Sequence, residues 1–247
     1  MSVSHQIRRA HKWLTLFSAI QLLLWLSSGV YMVVMDIDFI HGDSLVVQKN
    51  EPINTETLTL TLDEVLARYP EASQLSLFAV HGVTYYRLTV EGKTLLLNAI
   101  TGQVPTLLTQ TQAMASAQSY YLGEVLPTSA TLYLDEPPAE ISPRLLPLWQ
   151  VNFSPLNTSL YLNASTGALV SKRHDYWRLF DIMWMLHIMD YDTRNDIHNP
   201  LLSIMALLAL LTALAGIALT YISFRAAPIS ADNLDDKLVS ANNKEGK

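Results

Sequence analysis

Seven histidines and the absence of cysteine define the metal and redox chemistry that this chain can perform. Without thiolates there is no disulfide, no CxxC redox motif, no cysteine-held iron–sulfur cluster and no c-type haem attachment. Imidazole is then the main ligand for a haem iron, and a non-covalently held b-type haem needs an apolar slot and an axial imidazole. The histidines that flank the two apolar segments described below are His11, His41, His174, His187 and His198.

His187 is the first candidate for an axial ligand. Met183 and Trp184 precede it by four and three residues, so its neighbours on a helix are apolar. The plainer interpretation is an interfacial histidine that hydrogen-bonds a lipid headgroup or a carbonyl group. Arg173 and Arg178 lie nearby in sequence and are candidate partners for haem propionates, because guanidinium groups pair with carboxylates bidentately.

Distance limits which histidine can share a haem with His187. His11 precedes the first apolar segment, about 30 Å from the other face of a membrane, so one haem cannot join His11 to His187. His41, His198 and the His187 of a second copy remain as second ligands. His11 is a candidate for a second haem or a quinol site at the inner face, or a simple polar cap of its helix.

Two long uncharged segments predict two transmembrane helices. Residues 13–35 and 201–224 contain no charge, and about 20 apolar residues cross the hydrocarbon core. The first segment is too long for a signal-peptide core and lacks a small-residue cleavage site, so we expect an uncleaved anchor. Basic residues within 1–12 place the N-terminal tail in the cytoplasm, and residues 225–247 then form a disordered cytoplasmic tail.

The segment between the spans is expected to lie in the periplasm, outside a bacterial inner membrane. Residues 36–200 contain 18 acidic and 9 basic residues, a formal net charge of −9. This charge favours cations such as ferric iron and argues against nucleic acid as a partner. A solvated negative surface explains the same charge without any metal. The acidic residues nearest the apolar segments are Asp36, Asp38, Asp43, Asp181, Asp190, Asp192 and Asp196.

An internal repeat organises this outer segment. Residues 97–104 (LNAITGQV) match residues 162–169 (LNASTGAL), and each copy contains an Asn-Ala-x-Thr-Gly turn. Glycine supplies the positive φ that such a turn needs. A strand candidate precedes each copy, at Thr84–Val90 and at Leu148–Phe153.

Helical patterns precede both strand candidates. Leu62 to Tyr69 shows apolar spacing typical of a helix, and Thr111 to Leu122 shows a weaker version. We therefore expect an α+β fold with two units, each in the order helix, strand, hairpin turn, strand. The units cover about 58–108 and 109–172 within a periplasmic domain over 36–174.

Residues 175–200 are predicted to form an interfacial helix and a connector. The stretch 176–191 is apolar almost all round but has only 16 residues, too few to cross a bilayer. Its Trp and Tyr residues favour the headgroup level.

Two stripes on the predicted spans indicate helix packing, because polar and small residues in membrane helices usually face protein. Either a homodimeric four-helix bundle forms, or the stripes pair within one chain. The polar stripe of the first span is His11, Thr15, Ser18, Gln21, Trp25 and Ser28. The small-residue stripe of the second is Ala206, Ala209, Ala213, Gly216 and Thr220.

This order of elements, closing on an Asn-Ala-x-Thr-Gly turn, resembles the PepSY domain. The segments 9–13 (RAHKW), 36–43 (DIDFIHGD) and 177–191 are similar to PepSY-associated transmembrane proteins, and the similarity covers residues 8 to 225. The two-helix form resembles the VciB-type proteins linked to ferric iron reduction and ferrous iron uptake.

The resemblance implies a membrane b-type haem protein that transfers electrons across the inner membrane and reduces ferric iron on the periplasmic side. It also strengthens His187 and His11 as cofactor-binding candidates. No nucleotide-binding motif is present, so a quinol or a cytoplasmic reductase would donate the electrons. PepSY domains also occur in propeptides and peptidase regulators. The alternative is therefore a non-enzymatic accessory protein that binds a peptide or a partner protein at the membrane surface.

Overall fold

The computed structural model confirms the mixed α+β class expected from the sequence, with six α-helices and two antiparallel sheets in the part that it describes. The described residues are 3–47, 49, 51–53 and 55–225. The chain divides into two compact units. The helical unit comprises residues 1–30 and 183–247, and the α+β unit comprises residues 31–182.

The helical unit contains most of α1 (Val3–Val34), the C-terminal end of α5 (Asp175–Ile188) and α6 (Pro200–Arg225). Among the described residues, Thr15–Val34 is the one stretch that is long and apolar enough to cross a membrane. Pro200–Leu214 is a shorter apolar helix. The first expected span is therefore supported, while the second stays a prediction.

Two sequence predictions fall outside what the structure describes. The tail predicted over 225–247 lies outside the described residues apart from Arg225, which ends α6. His11 lies on α1, but its side chain is not among those described. Its assignment to a second haem, a quinol site or a polar cap stays a prediction.

The α+β unit begins with the last four residues of α1, followed by α2 (Ile37–His41), and its first sheet follows α3 (Leu62–Arg68). The strands, paired antiparallel in chain order, are β1 (Gln74–Val80), β2 (Val83–Val90) and β3 (Lys93–Asn98). Val65 of α3 packs into a cluster with Tyr86 and Leu97, and all three are buried. One face of this sheet is thus covered by one short helix.

The second sheet follows α4 (Gln110–Tyr120). Its strands, also antiparallel and in chain order, are β4 (Ser129–Tyr133), β5 (Leu148–Phe153), β6 (Thr158–Asn163) and β7 (Leu169–Arg173). Ala113 and Ala117 of α4 are fully buried in a cluster with Val151. Small side chains allow the helix to approach the sheet closely, which compensates for the weak apolar pattern of α4.

Both helices of the repeat begin with the same capping box. Thr61 and Thr109 each accept a hydrogen bond, at 3.3 Å, from the backbone N–H three residues later. The side chains of Glu64 and Gln112 accept in return from the N–H of the capping threonine, at 2.8 Å in both cases. These reciprocal bonds satisfy N–H groups that a helix start leaves unpaired, and they set where each helix begins.

The two Asn-Ala-x-Thr-Gly segments form the same turn. The side-chain oxygens of Asn98 and Asn163 each accept from the backbone N–H groups two and three residues later, at 2.9–3.1 Å. The closing glycines, Gly102 and Gly167, have φ values of 68° and 72°. The positive φ predicted for this turn is thus present in both copies.

Each turn is tied to its own helix by the residue seven positions after the cap. Arg68 donates to the carbonyl oxygen of Gly102 at 3.1 Å, and Ser116 donates to that of Gly167 at 2.8 Å. The Nε2 of His81 lies 2.7 Å from the Ser116 oxygen. Because the Ser116 proton is used on Gly167, His81 donates to Ser116 and links the first hairpin to the second helix.

The sheets are larger than the sequence patterns predict, because β1, β4 and β7 were missed. β7 (LVSKR) places its apolar and polar residues in blocks and shows no period of two, and β4 (SATLY) alternates over only four residues, the shortest run that predicts a strand. The predicted interfacial helix also ends earlier than expected, at Ile188, because Met189 takes a φ of 55° and starts a loop.

Candidate functional site

His187 contacts three nearby residues of α1. Its Nδ1 lies 3.2 Å from the carbonyl oxygen of Trp25 and 3.2 Å from the hydroxyl of Ser28. Its ring stacks on the Trp25 indole, with centroids 5.1 Å apart and planes 11° apart. A Cβ atom at Gly29 would lie 3.2 Å from His187 Cε1, so the glycine leaves room for the imidazole. We call these three α1 residues the His187 seat.

The hydrogen bonds at the seat favour one tautomer of His187. A carbonyl oxygen only accepts, so Nδ1 must carry the proton to bond to Trp25. The Ser28 hydroxyl donates to the same carbonyl at 2.9 Å, which leaves its oxygen to accept from Nδ1. Nε2 then presents its lone pair, and no hydrogen bond from a described residue reaches it. Metal-binding histidines usually donate their other N–H to a carbonyl or carboxylate in this way.

A cavity of about 180 Å³ lies between α1 and α6 in the same unit. Ser18, Gln21 and Trp25 line it from α1, and Ala206 and Ala209 line it from α6. These residues belong to the polar and small-residue stripes, so the stripes face each other within one chain here. The homodimer stays a prediction.

The helical unit provides a candidate axial ligand but not a complete cofactor pocket. The imidazole of His187 has the tautomer that an axial ligand needs, and the Trp25 indole stacks on its ring. Ligand pockets usually have volumes of roughly 300–1,000 Å³, which exceeds the cavity beside the seat. A haem on His187 would therefore need walls beyond those that this cavity provides.

The loop after α5 is organised by the carboxylate of Asp190. Its oxygens accept from the Thr193 hydroxyl at 2.6 Å and from four backbone N–H groups of residues 192–196 at 3.0–3.2 Å. These hydrogen bonds, above all that of Thr193, hold the pKa of Asp190 well below its ordinary value. The carboxylate is thus used internally and is a poor candidate for binding ferric iron.

His198 lies in the same loop and is exposed. Its backbone N–H donates to Asp196 at 2.8 Å. Asn199 follows it, donates to the carbonyl of Ile188 and accepts from the N–H of Leu202, both at 2.8 Å. No contact between the described atoms joins the rings of His198 and His187, so their pairing stays a prediction.

His41 ends α2 in the α+β unit, where it is exposed at the rim of a cavity of about 530 Å³. Lys49, Lys172 and Arg173 also line this cavity. The guanidinium of Arg173 lies 3.8 Å from the ring centroid of Trp177. His41 and His187 belong to different units, so their joint ligation of one haem stays a prediction.

His174 is a buried structural residue rather than an open ligand. Only 1% of its surface is exposed, and its Nε2 donates to the carbonyl groups of Phe39 and Ile40 at 3.2 and 3.0 Å. Burial lowers the pKa of its imidazole. The ring holds α2 against the start of α5, and Gly42 leaves space for it.

Arg178, predicted to pair with haem propionates, is engaged within the α+β unit. Its guanidinium makes a bidentate pair with Glu140 at 2.9 and 3.1 Å. It also donates to the Asn157 carbonyl at 2.8 Å and to Ser159 at 3.2 Å. Glu140 accepts from Tyr161 as well. These bonds account for Arg178 as a link between α5 and the second sheet, and its propionate role stays a prediction.

Several carboxylates of the expected acidic mouth have structural partners. Asp36 caps α2 by accepting from Phe39 at 2.9 Å, and Asp43 pairs with Lys172. Within the described part of the chain, no group of three or more His, Asp or Glu side chains is arranged to hold a metal ion. A site for ferric iron stays a prediction.

Known proteins add no assignment of these sites. Comparison of the chain with protein-family models, with curated proteins and with solved structures finds no match. The PepSY resemblance therefore also stays a prediction. The sequence singled out His187 and Arg178. It did not identify the Trp25 carbonyl and Gly29 as the neighbours of His187, or Glu140 as the partner of Arg178.

Proposed function

We propose that this chain is a two-span inner-membrane protein, similar to PepSY-associated proteins, that binds a b-type haem through His187. In this proposal it transfers electrons across the membrane and reduces ferric to ferrous iron on the periplasmic side, which supports ferrous iron uptake. The observation that supports it is the His187 seat. Trp25 and Ser28 hold Nδ1, and Nε2 is left with no partner among the described residues.

Each residue of the seat has a separate role. A bound b-type haem supplies one-electron transfer, with a potential that depends on its ligands and on solvent access. The Trp25 carbonyl sets the tautomer of His187 and raises the basicity of Nε2. The Trp25 indole lies flat against the imidazole and keeps water from that face. Ser28 and Gly29 restrict how far the ring can turn.

The membrane topology in this proposal rests on two uncharged segments. Thr15–Val34 qualifies as a span among the described residues. The α6 helix runs from Pro200 to Arg225, and its sequence carries no charge before Arg225. Basic residues lie before the first segment and after the second, which favours cytoplasmic termini.

The first test is the visible spectrum of the purified full-length chain with haem supplied. We expect a Soret band and sharp α and β bands after reduction with dithionite. His187→Ala should lose these bands and ferric reduction, measured as ferrozine-bound ferrous iron, and added imidazole should restore part of the spectrum. A colourless wild-type protein, or an unchanged spectrum in His187→Ala, would overturn the proposal.

A matched histidine series identifies the second ligand. His41→Ala and His198→Ala are made singly, and the variant that converts a low-spin spectrum to a high-spin one identifies the partner of His187. His11→Ala is the control, because His11 lies too far away to share that haem. If all three keep the low-spin spectrum, the second ligand is the His187 of another copy, and the wild-type protein should contain one haem per two chains.

The non-enzymatic alternative is favoured by one feature of the α+β unit. β7 ends the second sheet, and all five of its residues line the cavity of about 530 Å³. An edge strand beside a cavity can pair with an added peptide strand. Under this reading His187→Ala leaves activity in the cell unchanged, which separates it from the haem proposal.

A further inference from the structure

We propose that the cavity between α1 and α6 binds the ring of a membrane quinol, and that this quinol is the electron donor of the chain. The donor role rests on the proposed function, whereas binding to the cavity does not. The site lies wholly within the helical unit, and it is built by α1, α6 and the loop residue Met189.

The cavity contains an amide group that needs a partner. The Nε2 of Gln21 is buried and makes no hydrogen bond with any described residue. An unpaired amide is costly in a helix that crosses lipid, because no water is available to it. A quinol or quinone ring satisfies either end of the amide, since its hydroxyl groups donate and its carbonyl groups accept. Ser18, only 5% exposed, lines the same cavity with a second polar group.

The cavity is smaller than the pockets of drug-sized ligands, and its size and remaining walls fit a single substituted ring. The volume is about 180 Å³, and the other lining residues include Leu22, Leu202 and Met205. Ala206 and Ala209 leave the space that larger side chains would fill. An uncharged ring with two oxygens and an apolar tail, already dissolved in the bilayer, matches an apolar pocket with few polar handles.

Trp25 connects this cavity to the His187 seat. Its side chain lines the cavity and stacks on His187, and its carbonyl holds His187 Nδ1. One quinol releases two electrons and two protons when it becomes a quinone. It therefore balances the reduction of two ferric ions to two ferrous ions, and the protons leave to solvent. A ring in the cavity lies one side chain away from the candidate ligand.

The test measures binding of decylubiquinone to the full-length chain in quinone-free nanodiscs, by quenching of tryptophan fluorescence. Ala209→Leu fills the cavity and should abolish saturable binding. Gln21→Leu removes the amide and should weaken binding roughly fivefold, the loss expected for one hydrogen bond. Ala213→Leu is the matched control, because Ala213 belongs to the same stripe but does not line the cavity. It should bind as the wild type does.

The outcomes separate this inference from the haem proposal. Unchanged affinity in both Ala209→Leu and Gln21→Leu, or an equal loss in Ala213→Leu, would overturn the quinol site while leaving the haem spectrum as evidence for His187. Binding should persist in His187→Ala, which lacks the haem ligand but keeps the cavity. If wild-type protein binds decylubiquinone in the cavity yet never takes up haem, the site stands and the donor role fails together with the proposed function.

Discussion

Three histidines of this chain show how the surroundings decide what an imidazole can do. His174 is buried and donates from Nε2 to two carbonyl groups, and His81 donates from Nε2 to Ser116. In both, Nε2 is used in a hydrogen bond that holds the fold together. His187 is arranged the other way round, with Nδ1 bound to the Trp25 carbonyl. Of the three, only His187 has an Nε2 lone pair that no hydrogen bond from a described residue uses.

Adding one methyl group at Gly29 tests whether the His187 seat holds the imidazole in place. Gly29→Ala favours the helix but places Cβ 3.2 Å from His187 Cε1, so the ring must shift relative to Trp25. Loss of such a supporting contact typically weakens metal binding by 10–100-fold, and we expect about a tenfold faster loss of haem to apomyoglobin.

The matched control for this change is Gly216→Ala, because a Cβ atom there meets nothing within 4 Å. It should keep the wild-type rate of haem loss. Equal rates in Gly29→Ala and Gly216→Ala would show that the position of His187 does not depend on the seat.

At the scale of elements, the α+β unit is one helix-and-sheet pattern used twice. The capping boxes at Thr61 and Thr109, and the turns at Asn98 and Asn163, repeat the same side-chain hydrogen bonds to backbone N–H groups. What differs is the residue that ties each turn to its helix. Arg68 has a long side chain and is exposed, whereas Ser116 is 8% exposed and lies between Gly167 and His81.

Alanine substitutions at three turn glycines distinguish the free-energy cost of backbone strain from the cost of a packing clash. Gly82→Ala meets open space at a φ of 75°, so we expect only the cost of a positive φ, about 1 kcal/mol. Gly102→Ala adds contact with the mobile end of Arg68 and should cost little more. Gly167→Ala would place Cβ 2.6 Å from the Ser116 hydroxyl, and should cost roughly 1–2 kcal/mol beyond the strain.

The measurement is the free energy of unfolding of the full-length chain in detergent, from urea titrations followed by near-ultraviolet circular dichroism. The loss of unfolding free energy should be largest for Gly167→Ala, smaller for Gly102→Ala and smallest for Gly82→Ala. Equal losses at Gly82 and Gly167 would mean that the link through Ser116 contributes nothing beyond the turn itself.

At the scale of the whole molecule, charge and hydropathy separate along the chain. Residues 36–200 carry a net charge of −9, while Thr15–Val34 carries none. Several of the acidic side chains have partners within the fold. Glu140 pairs with Arg178, and Asp190 accepts hydrogen bonds from backbone N–H groups. The negative charge of this segment therefore gives weak support to a dedicated site for ferric iron.

The absence of cysteine makes the topology directly measurable. Glu124→Cys lies in an exposed loop of the α+β unit, and Ser240→Cys lies in the C-terminal tail. With two spans, a membrane-impermeant maleimide should label Glu124→Cys in intact spheroplasts and Ser240→Cys only after lysis. Labelling of both without lysis would show that the second apolar segment does not cross the membrane.

The sequence alone determined the properties that depend on composition and local spacing. These are the exclusion of thiol chemistry, the apolar segment around Thr15–Val34 that is long enough to cross a membrane, the α+β class and the repeated turn. Composition or neighbouring residues are enough to recognise each of them. The sequence did not predict the short strands β4 and β7, because the alternation of β4 covers only four residues and β7 does not alternate.

Tertiary structure alone decided which polar groups are used and which are free. His187 meets Trp25 across 162 positions of the chain, and Arg178 meets Glu140 across 38. A hydrogen bond forms or fails within a few tenths of an ångström. Spacing in the sequence cannot set such distances between remote segments, so the tautomer of His187, the partners of Arg178 and the unpaired amide of Gln21 appear only in the folded chain.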